Sequence, residues 1–346
     1  MERVLSYADA IREALEQEME RDPSVIVLGM GVNDAQGIYG TTRGLAARFG
    51  PERVFDTPVA EEGMTGVAVG AAMGGLRPVH IHIRMDFLLL AMNQIVNIAA
   101  KARYMYGGEA SVPIVIRAII GRSWGQGAQH SQGLHALFMH VPGLRVVAPT
   151  TPFDAKGCLI RAIRADDPVI FVEHRMLHDR RGDVPEGAYE VPFGAARVLA
   201  EGRDVTIVGI SHMAVEALRA RELLGAAGIS AEVIDPISLS PLDTDAIMTS
   251  AARTRHLLVV DAGWTMCGAG AEILARTAEH FQAAGAVRVA RIGFAPVTCP
   301  TSRPLEQLYY PNPERIAAAA HALVRGGPAS WPAAPASEAD TFRGPF

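Results

Sequence analysis

Short apolar runs alternate with helical spacing along almost the whole chain. "VIVLG" (25–29), "RPVHIHI" (77–83), "VPIVIRAII" (112–120), "LRVVAP" (144–149) and "PVIFVE" (168–173) read as strands, the third of them buried on both faces. Helical stretches separate them: "SYADAIREALEQEMERD" with Ser6 as its cap, "MTGVAVGAAMGG", "MDFLLLAMNQIVNIAAKARYM", "SQGLHALFMHV" and "TPFDAKGCLIRAIR". Apolar strands separated by helices predict an α/β fold with a parallel sheet covered by helices on both faces.

The 346 residues are enough for two domains. The texture changes at 174–203, a charged, turn-rich segment that reads as a linker with a small hairpin. A second α/β unit follows, with strands expected at "DVTIVGIS", "SAEVIDPIS", "HLLVVDAG" and "VRVARIGF". The expected divisions are a first domain over 1–185, a linker over 186–203, a second domain over 204–326 and a flexible Pro/Ala-rich tail over 327–346. Net charge is −5, and no basic block interleaves with aromatics, which argues against nucleic-acid binding. No apolar run reaches the roughly 18 residues of a membrane span, and "MERVLSYADA" has no signal-peptide core. The scattered Cys158, Cys267 and Cys299 form neither a zinc spacing nor a disulfide framework, so a reducing cytoplasm is expected.

Three stretches carry chemistry. In "DTPVAEEGMTGVAVGAAMGG" (56–75), Glu61 and Glu62 stand at the mouth of a helix expected to be buried all round, with Gly66, Gly70 and Gly74 on one face admitting a close neighbour. The two acids either complement the helix dipole, worth ~0.3–1 kcal/mol, or supply a buried carboxyl of raised pKa that exchanges a proton with a bound heterocycle. In "GRSWGQGAQHSQG" (121–133), a glycine-rich loop follows a buried strand, the position at which α/β sheets bind ligands. His130 there is either a cap for the next helix or an acid, base or hydrogen-bond donor. In "VHIHIRMDF", His80, His82 and Arg84 share one strand face. That face meets another subunit or lines a crevice; a metal would lack a third ligand. Neither GxGxxG after the first strand nor GxxxxGK[ST] is present.

Taken in order, "DTPVAEEGMTGVAVGAAMGGLRPV", "AMNQIVNIAAKARYMYGG", "VPIVIRA", "GAQHSQ", "HVPGLRVVAPTTPFDAKGCLIRAIRADDPVIFVEHRML" and "DVTIVGIS" resemble the β-subunit of the thiamine-diphosphate-dependent E1 component of 2-oxo acid dehydrogenases, over about residues 3–325. The resemblance implies a transketolase-type pyrimidine-binding domain followed by a transketolase C-terminal domain. In its TP-x-x-E-x-G pattern, here Thr57 to Gly63, it gives Glu61 the contact with N1′ of the cofactor's aminopyrimidine. A proton shared there favours the 4′-imino tautomer, which can take the thiazolium C2 proton. It places Val59 and Phe87 beside the pyrimidine, Ile83 at the thiazolium, and His130 at the substrate. A structural potassium ion in some relatives uses carbonyls matching Ile114, Ala162, Ile163, Ala165 and Asp167; the last two differ in side chain from the family pattern, which backbone ligands tolerate.

The family's GDG motif for diphosphate and Mg²⁺ belongs to the α-subunit, and this chain has none. The resemblance therefore implies an α partner in an α2β2 heterotetramer, and a lipoyl acyltransferase (E2) as acyl acceptor. The departure is at "HIHIRMDF": pyruvate and branched-chain relatives carry an acid where Ile81 stands and lack the histidine pair and arginine. His82 and Arg84 are therefore candidate substrate residues. Two alternatives to the dehydrogenase reading follow: a carboligase that delivers the acyl unit to an aldehyde or ketone, and a non-catalytic partner subunit, against which Glu61 and His130 both argue.

Overall fold

The computed structural model describes residues 3–121, 125–282, 287–327 and 329–331. Most of the expected tail, and residues 122–124 of the glycine-rich loop, lie outside the described residues. The first half runs β1 (Val4–Ser6), α1 (Tyr7–Arg21), β2 (Val25–Gly29), α2 (Leu45–Phe49), β3 (Val54–Asp56), α3 (Glu61–Met73), β4 (Arg77–His82), α4 (Met85–Leu88), α5 (Ala100–Met105), β5 (Val115–Ile120), α6 (His135–Met139), β6 (Arg145–Val147), α7 (Pro152–Arg164), β7 (Val169–His174) and β8 (Arg181–Asp183). The second runs β9 (Arg197–Ala200), β10 (Val205–Gly209), α8 (His212–Ala226), β11 (Ala231–Asp235), β12 (Ser238–Ser240), α9 (Thr244–Thr254), β13 (His256–Trp264), α10 (Ala269–His280), β14 (Arg288–Phe294), α11 (Arg303–Tyr309) and α12 (Pro313–Arg325).

Two α/β sheets result. One has seven strands in the order β12-β6-β7-β5-β4-β2-β3; the other has five in the order β14-β13-β10-β11-β9. Every pairing in them is parallel except those of β12 with β6 and of β9 with β11, at the edges. The central strands β2, β5, β7 and β10 are buried along their whole length, as their continuous Val/Ile content requires. Local signals set the helix starts: the Ser6 hydroxyl accepts from Asp9 N at 3.0 Å, and Thr151 caps α7 in the same way ahead of Pro152.

Three sequence expectations change. "SAEVIDPIS" is two strands rather than one. The Asp235 carboxylate accepts from Ile237 N at 2.9 Å, Ile237 takes φ +54°, and the chain turns out of the second sheet to place β12 on the edge of the first. The expected hairpin in 174–203 does not form: β8 pairs with β1, and β9 joins the second sheet, so that sheet begins inside the segment read as linker. Between them the chain is strapped across α7 by the buried Lys156, whose ammonium reaches the carbonyls of Pro185, Glu186 and Gly187 and the Glu13 carboxylate. The stretch 85–105 is not one regular helix; a 3₁₀ turn (Leu89–Ala91) and a π-helical segment (Asn93–Ala99) separate α4 from α5.

One apolar cluster runs from the helix-covered face of the first sheet (Ile116, Val146, Ile170) into the second (Val208, Val260), so the two units share a core. Polar contacts cross the same seam. His135 Nε2 lies 2.8 Å from Asp261 Oδ1, Thr150 donates to Ser211 O at 3.0 Å, and Arg197 of β9 binds the buried Asp154 of α7. Gly133 fits only as glycine, because a Cβ would sit 1.8 Å from the Ala262 carbonyl oxygen.

Inside the first sheet, Arg117 of β5 makes a bidentate pair with Glu173 of β7 at 2.6 and 2.8 Å, both fully buried, with His178 Nε2 3.3 Å from the same carboxylate. Burial alone would raise the Glu173 carboxyl, but Arg117 and His178 outweigh it and hold it down at about 2, against an ordinary 4.5. This carboxylate's contribution to stability is therefore complete above about pH 4.5 and is lost as pH falls toward 2. Arg117→Leu should cost about 3–5 kcal/mol at neutral pH, read by chemical denaturation. The deficit should shrink in acid, as Glu173 takes up a proton; a deficit independent of pH would show that the pair is not its source.

Candidate functional site

The site forms where α3 begins and β4 ends. Ala60, the residue ahead of α3, offers no side-chain cap, so Glu61 and Glu62 stand in the first turn as its acidic groups. Glu61 is half-buried, while Glu62 is exposed and its carboxylate accepts from Gln94 at 3.4 Å. Val59, just ahead, is 78% exposed, unusual for an apolar residue held in a turn between strand and helix. The expectation that α3 is buried all round is corrected. Thr65, Ala68, Val69 and Ala72 face the core, whereas Glu62, Gly63, Val67, Gly70 and Met73 are exposed, and nothing lies within 4 Å of a Cβ built on Gly63 or Gly70. The helix is apolar all round because its second face is uncovered in the single chain, a face that suits another polypeptide.

At the carboxyl end of β4 the chain turns through Arg84 into α4. Ile83 is half-buried and lines a cavity of about 510 Å³ together with Gly31, Asp34, Gly37, Ile38 and Tyr39. Phe87, on α4, meets the imidazole of His130 edge-on at 5.1 Å between ring centres. Asp86 is buried: its Oδ1 accepts from the Gln132 side chain at 2.8 Å and backbone at 3.3 Å, and its Oδ2 has no hydrogen-bond partner. Burial raises the Asp86 carboxyl, opposed by the Gln132 bonds and by His130 nearby. "RMDF" and "QHSQ", 46 residues apart at Asp86 and Gln132, are thus brought together.

His80 and His82 do lie on one face of β4, but that face is covered by α3. Both rings approach the Thr65 hydroxyl, at 3.4 and 3.5 Å, with 4.3 Å between their centres. Burial pushes His80 down to about 4 and, with His80 beside it, His82 well below the ordinary range, so both are neutral. The pair is buried under α3 and is not among the residues lining the cavity, and among the described residues no cluster of His, Cys, Asp or Glu is placed to hold a metal ion. Of the carbonyls matched to a potassium site, those of Ile163 and Ala165 accept from the Arg77 guanidinium at 3.0 and 2.9 Å, and that of Ile114 accepts from Val169 N. The Asp167 carboxylate is engaged by Arg103 and Arg145.

The residues present suit half of a heterocyclic cofactor. Val59 and Phe87 offer apolar surface, Glu61 a carboxyl, and Asp86 an orphaned buried oxygen beside His130. The family model "Transketolase, pyrimidine binding domain" matches residues 3–179, and "Transketolase, C-terminal domain" matches 194–316. The chain is 46% identical over 339 residues to the "Acetoin:2,6-dichlorophenolindophenol oxidoreductase subunit beta" of Cupriavidus necator, covering 94% of this chain and 99% of that one. It is 43% identical over 316 residues to the mitochondrial "Pyruvate dehydrogenase E1 component subunit beta-1" of Arabidopsis thaliana, covering 90% and 87%.

The chain belongs to the transketolase-type E1 β-subunit family. Among solved structures it superposes on a "Split gene transketolase, inactive beta4 tetramer" with TM-score 0.75 at 25% identity, covering 92% of this chain and 98% of that one. The fold alone is shared with transketolase from Leishmania mexicana, at TM-score 0.69 and 16% identity, covering 96% of this chain and 47% of that one. The sequence reading did not single out Tyr39, Asp86, Gln132 or Arg175; the only local cue was that Asp86 and Gln132 flank the motif residues Phe87 and His130. No described helix is long and apolar enough to cross a membrane, and all three cysteines are free.

The buried histidines give the protein an acid-sensitive element. The unfolded chain takes up protons near pH 6.5, while folded His80 resists until about pH 4, so stability should fall across that window. His80→Asn should flatten the pH dependence between 6.5 and 4. Thermal unfolding at several pH values measures it; an unchanged slope would remove this histidine from the account.

Proposed function

We propose that this chain is the β-subunit of a thiamine-diphosphate-dependent enzyme of 2-oxo acid decarboxylation and acyl transfer, completed by an α-subunit in an α2β2 heterotetramer. The observation that carries the proposal is the open half-site: Glu61 in the first turn of α3, exposed Val59 ahead of it, and the Phe87–His130 pair at the carboxyl edge of the same sheet. The uncovered small-residue face of α3 leaves room for the second polypeptide, which would bring the GDG motif for diphosphate and Mg²⁺ that is absent from this sequence.

When bound, thiamine diphosphate supplies the electron sink for cleaving the bond next to a carbonyl. The work of this chain is to hold and move protons. Glu61 would hold the cofactor's pyrimidine by sharing a proton with N1′, and Val59, Ile83 and Phe87 would exclude water from its rings. His130, fixed edge-on by Phe87, would place a proton at the substrate's carbonyl oxygen. Asp86, clamped to Gln132, would keep the His130 loop in position. A potassium ion at the α7 terminus would have to share carbonyls that Arg77 already engages. Either lipoyl E2 or a small carbonyl compound would accept the acyl group.

Alone, the chain should bind thiamine diphosphate poorly and decarboxylate nothing, and co-expression with its α-subunit should restore both; full activity of the isolated chain would sink the two-subunit reading. In the reconstituted complex, Glu61→Gln should slow cofactor C2 proton exchange by roughly 10²–10⁴-fold, with Glu62→Gln far milder. Exchange followed by NMR measures this, and a reversed order would move the proton-sharing role to Glu62.

A further inference from the structure

The loop that carries His130 leans on the second domain on both sides of the histidine. Upstream, a Cβ built on Gly125 would sit 2.5 Å from the Thr301 carbonyl oxygen, and one on Gly127 would sit 2.6 Å from the Thr301 methyl group. Downstream, the backbone of Gly133 touches that of Ala262 in β13, and a Cβ on Gly263 would lie 3.0 Å from the Gly133 carbonyl oxygen. α6 then begins at His135 with no side-chain cap ahead of it. Its first residue supplies a tie instead. His135 Nε2 lies 2.8 Å from Asp261 Oδ1, with 1% of the histidine and 3% of the aspartate exposed. His135 Nδ1 and Asp261 Oδ2 are buried without a hydrogen-bond partner among the described residues, so each side chain depends on the other. A buried pair of this kind adds little net stability over apolar side chains of the same outline. What it adds is direction, because a hydrogen bond fixes an orientation that apolar packing leaves free.

Between the two histidines, Gln132 is clamped to Asp86 of the first domain. One stretch of chain is thus tied to both domains, and from it the half-buried His130 meets Phe87. We propose that His135 and Asp261 are positioning residues for His130: their hydrogen bond across the domain seam sets where the His130 imidazole stands against Phe87, and so against the substrate's carbonyl. The part of the inference that concerns substrate rests on the thiamine reading above; the part that concerns Phe87 does not. Neither residue touches substrate. Asp261 holds the exit of the loop while Asp86 holds its middle, and the His130 proton is delivered from a fixed place. A misplacement of about 1 Å at a reacting group can cost on the order of 10²-fold in rate. One bond at the loop's exit therefore matters more to the reaction than to the fold.

Two measurements test this, with two variants. Asp261→Asn keeps an acceptor for His135. The double substitution His135→Phe with Asp261→Leu keeps both outlines and removes both polar partners together, a change that a fold tolerates well. In the full chain without cofactor, the His130 imidazole protons are assigned by NMR from their loss in His130→Ala, and the nearby Phe87 ring shifts them from their free positions. That shift should persist in Asp261→Asn and collapse in the double variant; a shift that the double variant retains overturns the proposal. In the second measurement, the reconstituted complex is assayed with pyruvate and 2-oxoisovalerate, each variant being made with and without His130→Ala. With His130 present, the double variant should lose up to about 10²-fold in kcat with KM little changed and with wild-type resistance to denaturant, while Asp261→Asn stays close to wild type. In the His130→Ala background the double variant should lose nothing further, because it acts through His130. Losses that multiply in that background, or a double variant of full kcat, overturn the proposal. Asp261→Leu alone, which leaves no charge unpaired, carries the same expectations should the double variant not fold. A His130→Ala complex as active as wild type overturns the thiamine role of His130 and not the pair, which the NMR shift then decides alone.

Discussion

A parallel sheet has to be kept from water on both faces, and that requirement organises this protein. In the first sheet β5 and β7 are apolar on each side apart from His174 at the end of β7 and the Arg117–Glu173 pair, which is tolerable because each charge is met by the other, and the carboxylate also by His178. Covering one face takes α1 and α7. Covering the other takes α3, the broken helix over 85–105 and the second domain, whose apolar cluster merges with that of the first. The carboxyl ends of β2, β4 and β5 are then the places where the chain leaves the sheet, and the candidate site gathers there because loops at that end escape the covering layers.

The same requirement separates the two chemical characters of "HIHIRMDF". His80 and His82, within the strand, are sealed under Thr65 of α3 and kept neutral. Arg84, two residues past the strand's end, is buried against the Tyr39 ring instead. Residues that alternate along one strand in the sequence thus end in different surroundings, two under a helix and one against an aromatic ring past the strand's end.

Much of the fold was legible because it rests on local signals: apolar runs for the strands, Ser6 and Thr151 for helix starts, the small-residue stretch for α3. Glu61, Phe87 and His130 were named from a likeness to a family pattern rather than from a local folding signal, and what the structure adds is that Phe87 and His130 meet edge-on. What escaped depended on distant partners. The break in "SAEVIDPIS" needs the open edge of β6, and the strap over α7 needs Lys156. The Asp86–Gln132 clamp and the Arg84–Tyr39–Arg175 group join segments far apart in sequence, with no period or spacing to announce them. The uncovered face of α3 was misread for a related reason: an all-apolar helix looks the same whether its last neighbour is its own chain or another.

The crossing of β12 into the first sheet has a consequence for synthesis. Until residues 238–240 have left the ribosome, β6 is an unprotected edge at the end of an otherwise finished sheet, free to pair with any extended segment, including the same edge on a neighbouring nascent chain. The nominal first domain is therefore not a unit of biogenesis. Its last strand arrives from beyond the boundary, after much of the second domain's β10, α8 and β11 has been made, and the order of translation obliges the two halves to mature together.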